Sequence, residues 1–280
     1  MKRTEYFFSS VMDTPDERAW TPEEACFPSW VPYWHRASMP SMNSKANRRT
    51  EPLGYRASSD HPLRLKKSIR RDTIIPRGVI FDTVKWIGEI IYRKSFYPGL
   101  GMLTKDHAII RNYLRITGLL DSYPNGDTVH NAYAIVAAAG NLQQKPAEST
   151  SSPGMDMLMY CAWVTARESS ESRDITIMLE EMQTNKGIGW NAAHADTVQE
   201  KCSYRRFFIT NQGYLGLGAA QTEVEDQVCV LFGGKTPFML RKVSGHFKLI
   251  GESYIHGIMD GEVVQQLEAG ELSEQWFEIR

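Results

Sequence analysis

The stretch Arg205-Arg206-Phe207-Phe208-Ile209-Thr210-Asn211-Gln212-Gly213-Tyr214-Leu215-Gly216-Leu217-Gly218 decides the fold. Two apolar, β-rich runs flank Asn211-Gln212-Gly213, whose turn chemistry predicts a hairpin. Downstream, Gln227-Val228-Cys229-Val230-Leu231-Phe232 reads as a continuous apolar strand, and Gly233-Gly234 turns it into Pro237-Phe238-Met239-Leu240-Arg241. Residues 247–251 and 253–256 complete five or six strands in about 55 residues. Strands this short, punctuated by glycine and with no helices between them, predict a small closed or nearly closed antiparallel barrel. A short helix over 260–267, capped by Asp260, and a last strand over 276–279 follow it.

Upstream the pattern differs. Residues 63–66 alternate apolar with basic and 73–84 are rich in β-branched residues, which predicts two strands separated by a turn or edge at Pro76 and Gly78. From Asp82 the apolar residues Val84, Ile87, Ile90 and Ile91 take helical spacing. Further helices are expected over 104–120, where Ile109, Ile110, Tyr113, Leu114 and Ile116 share a face, after Asp127 to Gly140, over 155–167 and over 175–182. Residues 145–154 (KPAESTSSPG) read as a flexible loop. The expected fold class is therefore α+β: a helical middle region packed on a small antiparallel β-barrel, preceded by a partly ordered arm. We divide the chain into an extended basic arm (1–62), strands followed by a mainly helical region (63–201), and the barrel with its short helix (202–280).

With 280 residues, 42% of them hydrophobic, the chain can bury a sizeable core without disulfide staples. Its 32 Lys and Arg against 33 Asp and Glu give a net charge of -1, so any electrostatic partner must be local. The strongest local asymmetry runs from Arg36 to Arg77, where eleven basic residues face Glu51, Asp60 and Asp72. Such a cluster suits a nucleic acid or an anionic surface, or it is a solvated loop balancing an acidic C-terminal third. No apolar run approaches the length of a membrane span and no secretory core follows the N-terminus, so the expectation is a soluble, cytoplasmic protein with no membrane partner.

Candidate chemistry is sparse. Cys26, Cys161, Cys202 and Cys229 lie far apart and read as buried hydrophobes, and no metal-ligand spacing occurs among Cys or His. Gly233-Gly234-Lys235-Thr236 fails as a phosphate loop, because position 229 is Cys and a strand follows. Gly216-x-Gly218 opens no helix, as a dinucleotide fingerprint requires. Glu252, His256, Asp260 and Glu262 are the sharpest polar cluster, either an acid/base or hard-metal group or a set of strand and helix-start residues. Arg206 and Arg241, at apolar strand ends, are expected to form surface pairs with Asp226 or Glu252, each contributing about 0 to 1 kcal/mol.

The ordered string Arg205 to Gly218, then Asp226, Val228, Gly233-Gly234, Pro237-Phe238-Met239-Leu240-Arg241, and Gly251-Glu252-Ser253-Tyr254-Ile255-His256-Gly257-Ile258-Met259-Asp260-Gly261-Glu262, resembles the C-terminal region of fungal heterokaryon incompatibility (HET domain) proteins. Upstream, Pro28-Ser29-Trp30-Val31-Pro32-Tyr33-Trp34 is similar to the P-S-W-V-P-D-W element of the same proteins, with Tyr33 in place of Asp, and Tyr55-Arg56-Ala57-Ser58 with Val79-Ile80-Phe81-Asp82-Thr83-Val84 continues the likeness. The positions that carry it are Trp30, Pro32, Trp34, Arg206, Phe208, Gly213, Tyr214, Gly216, Gly218, Asp226, Gly234, Pro237, Phe238, Arg241, Gly251, Tyr254, His256, Gly257, Gly261 and Glu262. In that family the effector domain precedes the Trp-Val-Pro element, and only 26 residues precede Phe27 here. The resemblance implies the region outside that effector, a part of the allorecognition and programmed cell death repertoire of filamentous fungi. We therefore expect a non-catalytic interaction region with a protein partner, no cofactor and no catalytic or metal residues. The alternative is a nucleic-acid-binding protein using the arm from Arg36 to Arg77 beside the barrel.

Overall fold

The computed structural model describes residues 28–31, 42, 53–92, 108–141, 152–154, 157 and 192–280. Its backbone is one antiparallel sheet with helices packed on both of its faces. Strands β1 (Leu65–Lys66) and β2 (Ile75–Ile87) come first, then helices α1 (Ala108–Leu119), α2 (Val129–Ala137) and α3 (Ala192–Cys202). Strands β3 (Arg205–Thr210), β4 (Leu215–Ala219), β5 (Gln227–Leu231), β6 (Phe238–Val243), β7 (His246–Glu252) and β8 (Tyr254–Ile255) follow, with helix α4 (Glu262–Glu268) and strand β9 (Glu274–Trp276) last. The expected β3–β4 hairpin pairs from Arg205↔Ala219 to Ile209↔Leu215, with Gly213 at φ +88° in its turn.

The hydrogen-bonded path is β7-β6-β5-β2-β3-β4-β8, with β1 and β9 both paired to β2. It does not close on itself, so the closed or nearly closed barrel expected from the sequence is corrected to an open, curved sheet. Chain continuity joins its two ends instead, because Ser253 alone separates β7 from β8. The curl is visible in the packing: Val79 and Phe81 of β2, Phe208 of β3, Val228 and Val230 of β5, Met239 of β6 and Ile255 of β8 share one buried cluster. On the opposite face of β5 and β6, Cys229, Leu231, Phe238 and Leu240 pack with Leu249, Phe277 and Ile279. Alternate residues of β5 thus enter two cores, which is why its sequence is apolar throughout.

The centre of the sheet is β2, and here the sequence reading needs two corrections. Pro76 and Gly78 make no turn, and residues 82–87 are strand, not helix. Pro76 lies opposite Leu65, and its carbonyl accepts from Phe277 N at 2.9 Å. At Gly78 an added Cβ would lie 2.4 Å from the Val230 carbonyl oxygen, so the glycine permits close approach of β5. Register shifts between Ile80 and Asp82 and between Val84 and Trp86 each add a residue to one strand. Such bulges re-aim the side chains and turn a period of two into the three-residue step that imitates a helix.

On the other face of β3 and β4, Phe207, Ile209, Leu215 and Leu217 pack with residues of α1, α2 and α3. Tyr133 of α2 stacks on Phe207 with ring centroids 4.7 Å apart. Helix α2 starts at Thr128, whose hydroxyl accepts from Asn131 N at 3.1 Å, as an N-cap should. On α1, Leu114 is 63% exposed and so leaves the buried face assigned to it from sequence, while Ile109, Tyr113 and Ile116 occupy it. Helix α4 is capped by Gly261 at φ +97°, not by Asp260. The expected helices over 155–167 and 175–182, residues 145–151 of the loop expected over 145–154, and residues 36–49 lie outside the described residues, apart from the buried Met42 and the buried, helical Met157; at the end of that loop Pro153 and Gly154 are helical, which corrects the expectation there.

Candidate functional site

Resemblance-bearing residues converge on three places. The first is the β4–β5 connection. Arg241 of β6 donates from Nε and Nη2 to Asp226 at 2.7 and 3.0 Å, and from Nη2 to the Gln221 carbonyl at 2.7 Å. Its Nη1 lies 2.9 Å from a Glu223 carboxylate oxygen. Asp226 also accepts from Glu223 N at 2.8 Å, and only 1% of its side chain is exposed. Arg206 donates to the Thr222 carbonyl at 2.9 Å. The expected Arg241–Asp226 pair forms, but its carboxylate is buried, which corrects the expectation of a weak surface pair. Asp226 holds the Arg241 guanidinium more firmly protonated than usual.

A second place is the strip where residues 55–59 cross the sheet end. Arg56 N, Ala57 N and Ser58 N donate to the carbonyls of Met259, Lys235 and Gly234 at 2.9, 3.1 and 3.3 Å. Tyr55 packs against Tyr254, with centroids 5.6 Å apart, and its hydroxyl donates to the Ala139 carbonyl. Thus the Gly-Gly-Lys-Thr segment receives backbone from upstream in the chain, and its turn glycine, Gly233 at φ +84°, abuts Leu63.

Third, the α1–α2 connection meets β8. His256 Nε2 lies 3.2 Å from Asp127 Oδ2 and 3.2 Å from Asn125 Nδ2, and its ring stacks on Tyr123 at 5.4 Å. The Tyr123 hydroxyl donates to the His256 carbonyl at 2.8 Å, and Leu215 N donates to it at 3.2 Å. Although burial opposes it, hydrogen bonds from Asn131, the Thr128 amide and His256 hold Asp127 below its usual range. Both side chains are partly exposed.

The Glu252, His256, Asp260 and Glu262 cluster is not assembled as one site. Glu252 is buried and accepts from Met42 N at 3.1 Å, His256 engages Asp127, and Glu262 accepts from the Asp260 amide at 2.7 Å. Among the described residues, no three His, Cys, Asp or Glu side chains gather in a geometry that could hold a metal ion. Trp30 donates from Nε1 to the Asp72 carbonyl at 3.2 Å, whereas Pro32 and Trp34 lie outside the described residues. Cys202 and Cys229 are buried free thiols, pushed up by burial. Cys26 and Cys161 are not among the described residues.

Two partners in these sites escaped sequence reasoning. Asp127 looked like a local helix start, and its contact with His256 spans 129 positions. Lys201, which the sequence analysis did not single out, is fully buried and donates to the Met42 carbonyl at 3.1 Å. Burial lowers its pKa from the ordinary 10.5 to about 8. A lysine depressed on folding binds its proton more weakly in the folded state, so its penalty is full below pH 8 and relieved as pH rises toward 10.5. Tyr55, Tyr123 and Tyr254 are shifted upward by burial, so above the ordinary tyrosine value they favour the unfolded chain. Stability measured by urea unfolding should therefore rise by about 1 kcal/mol from about pH 8 to a maximum between about pH 9 and pH 10 and then fall. Lys201→Met should remove the rising limb and keep the falling one.

Comparison with known proteins gives these residues a context. Residues 147–273 match the family described as the Het-6 beta-barrel domain. The matched segment is thus similar to a Het-6 barrel domain. Its resemblance to fungal heterokaryon incompatibility proteins is thereby borne out, and a curated relative agrees. Heterokaryon incompatibility protein 6, OR allele, of Neurospora crassa is 38% identical over 68 residues, covering 23% of this chain and 10% of that protein. The chain thus aligns with about a tenth of that relative's length. No solved structure matches. The matched Het-6 barrel segment begins after β2, the strand at the centre of the sheet. Residues 75–87 therefore pair with β3 and β5 from outside the matched segment.

Proposed function

We propose that this chain is a non-catalytic recognition region of the heterokaryon incompatibility type, working in the cytoplasm in fungal self/non-self discrimination through contacts with a protein partner. The observation that supports this best is what the resemblance-bearing residues touch. Arg206, Asp226 and Arg241 fasten the β4–β5 connection. Phe208 lies against Gly216 and Gly218, and Gly234 accepts the backbone of residue 58. Tyr254 packs on Tyr55, and Gly261 leaves room for Ser59. These contacts organise a scaffold and leave its outward surface to select a partner. The printed name of the Neurospora relative supports the biological setting.

Catalysis is the competing class, and His256 with Asp127 is where it would reside. Purified chain incubated with NAD or with a nucleoside triphosphate should give no hydrolysis above a heat-denatured control. Turnover that disappears in His256→Ala, with folding intact by circular dichroism, would overturn the proposal.

A further inference from the structure

The β1–β2 connection reads Leu65-Lys66-Lys67-Ser68-Ile69-Arg70-Arg71-Asp72. Ile69 at its tip is fully solvent-exposed and Leu65 is half exposed, although isoleucine and leucine are among the residues most often buried. Around that tip Arg64, Lys66, Lys67, Arg70 and Arg71 are all exposed. Five cations against Asp72 leave a local charge of +4 on a chain whose net charge is -1. Asp72 is held by Arg70 at 3.0 and 2.6 Å, so Arg64, Lys66, Lys67 and Arg71 carry the surplus.

The projection is an ordered turn. Arg70 N donates to the Ser68 hydroxyl at 3.1 Å, Thr73 donates to Asp72 at 3.1 Å, and Trp30 donates to the Asp72 carbonyl. An aliphatic side chain held outward inside a ring of cations fits one kind of surface, with negative charge at its rim and hydrocarbon beneath. We propose that the β1–β2 turn docks the protein on anionic lipid headgroups, with Ile69 entering the acyl boundary and Arg64, Lys66, Lys67 and Arg71 meeting the phosphates. Among the described residues no helix is long and apolar enough to cross a membrane, so the attachment is peripheral. Nucleic acid fits the tip less well, because phosphate gives an aliphatic side chain nothing to bury against, and the turn presents no aromatic ring for a base to stack on. This inference stands independently of the protein-recognition role.

The test is cosedimentation of the full chain with phosphatidylcholine vesicles, with and without phosphatidylserine, at low and moderate salt. Binding to the phosphatidylserine vesicles alone, weakening with salt, is expected. Lys66→Ala and Lys67→Ala should each lower the partition coefficient about fivefold. Ile69→Ser should lower it about tenfold with an unchanged unfolding midpoint, since an exposed side chain contributes no packing. No binding to anionic vesicles at low salt, or binding indifferent to Ile69→Ser, would overturn the proposal. Duplex DNA bound more tightly than the vesicles, with Ile69→Ser without effect, would assign the turn to nucleic acid instead.

Discussion

Replacing Asp226 with alanine should cost about 4 kcal/mol of unfolding free energy, because it strips the partly buried Arg241 guanidinium of its bidentate partner and leaves Glu223 N without its acceptor. The carboxylate is almost completely buried and accepts both from the Arg241 guanidinium and from Glu223 N. Without it, Arg241 keeps only Glu223, itself largely exposed, and the Gln221 carbonyl. Such partners do not replace a bidentate carboxylate. Arg241→Lys should recover little, since an ammonium cannot reach Asp226 in two parallel bonds and Gln221 as well. Removing both charges as Asp226→Ala with Arg241→Met should cost less than the sum of the two single losses. Urea unfolding of the two single variants and the double variant gives that coupling directly.

Phe208 should show the second large effect. Its ring is buried in the core that the curled sheet encloses, and Phe208→Ala should cost about 4 kcal/mol through lost transfer energy and the cavity left behind. The ring sits over two glycines on the neighbouring strand. A Cβ at Gly216 would lie 2.2 Å from Phe208 Cζ, and one at Gly218 would lie 3.2 Å from Cε1 and 2.8 Å from the Thr222 hydroxyl. Gly216→Ala alone should therefore destabilise by about 3 kcal/mol, the upper range for overpacking. Combined with Phe208→Leu, which shortens the side chain where the new methyl group would lie, it should cost less than the sum. Unfolding midpoints of these variants test whether Leu-Gly-Leu-Gly marks a close approach of ring and backbone.

Where the sequence read correctly, its signals were local. Asn211-Gln212-Gly213 between two apolar runs determines a hairpin within fourteen residues, and the uniformly apolar 228–232 reports burial on both faces. Residues 82–91 misled because two bulges in β2 shift the side-chain period. Pro76 and Gly78 looked like punctuation, but at this point the sheet needs a residue without a side chain against the Val230 carbonyl. Barrel closure could not be read because it depends on how far a sheet curls, a sum of small twists and bulges along every strand. The Arg241–Asp226 pair was readable from charges at strand ends, but its burial depended on the intervening turn folding over it. Nothing local to Asp127 or His256 announces their contact, since each has a sufficient explanation within its own turn.

The account rests on the claim that the residues carrying the family likeness hold the frame together. Urea unfolding of single alanine variants at Arg206, Phe208, Asp226, Arg241, Tyr254 and His256 tests it most directly. Every variant is predicted to lose stability, from about 1 kcal/mol at His256, whose ring and Nε2 latch the α1–α2 connection to β8, to about 4 kcal/mol at Asp226 and Phe208. A variant among them with the unfolding midpoint of the unmodified chain, above all His256→Ala, would contradict the claim and assign that residue to a surface chemistry instead.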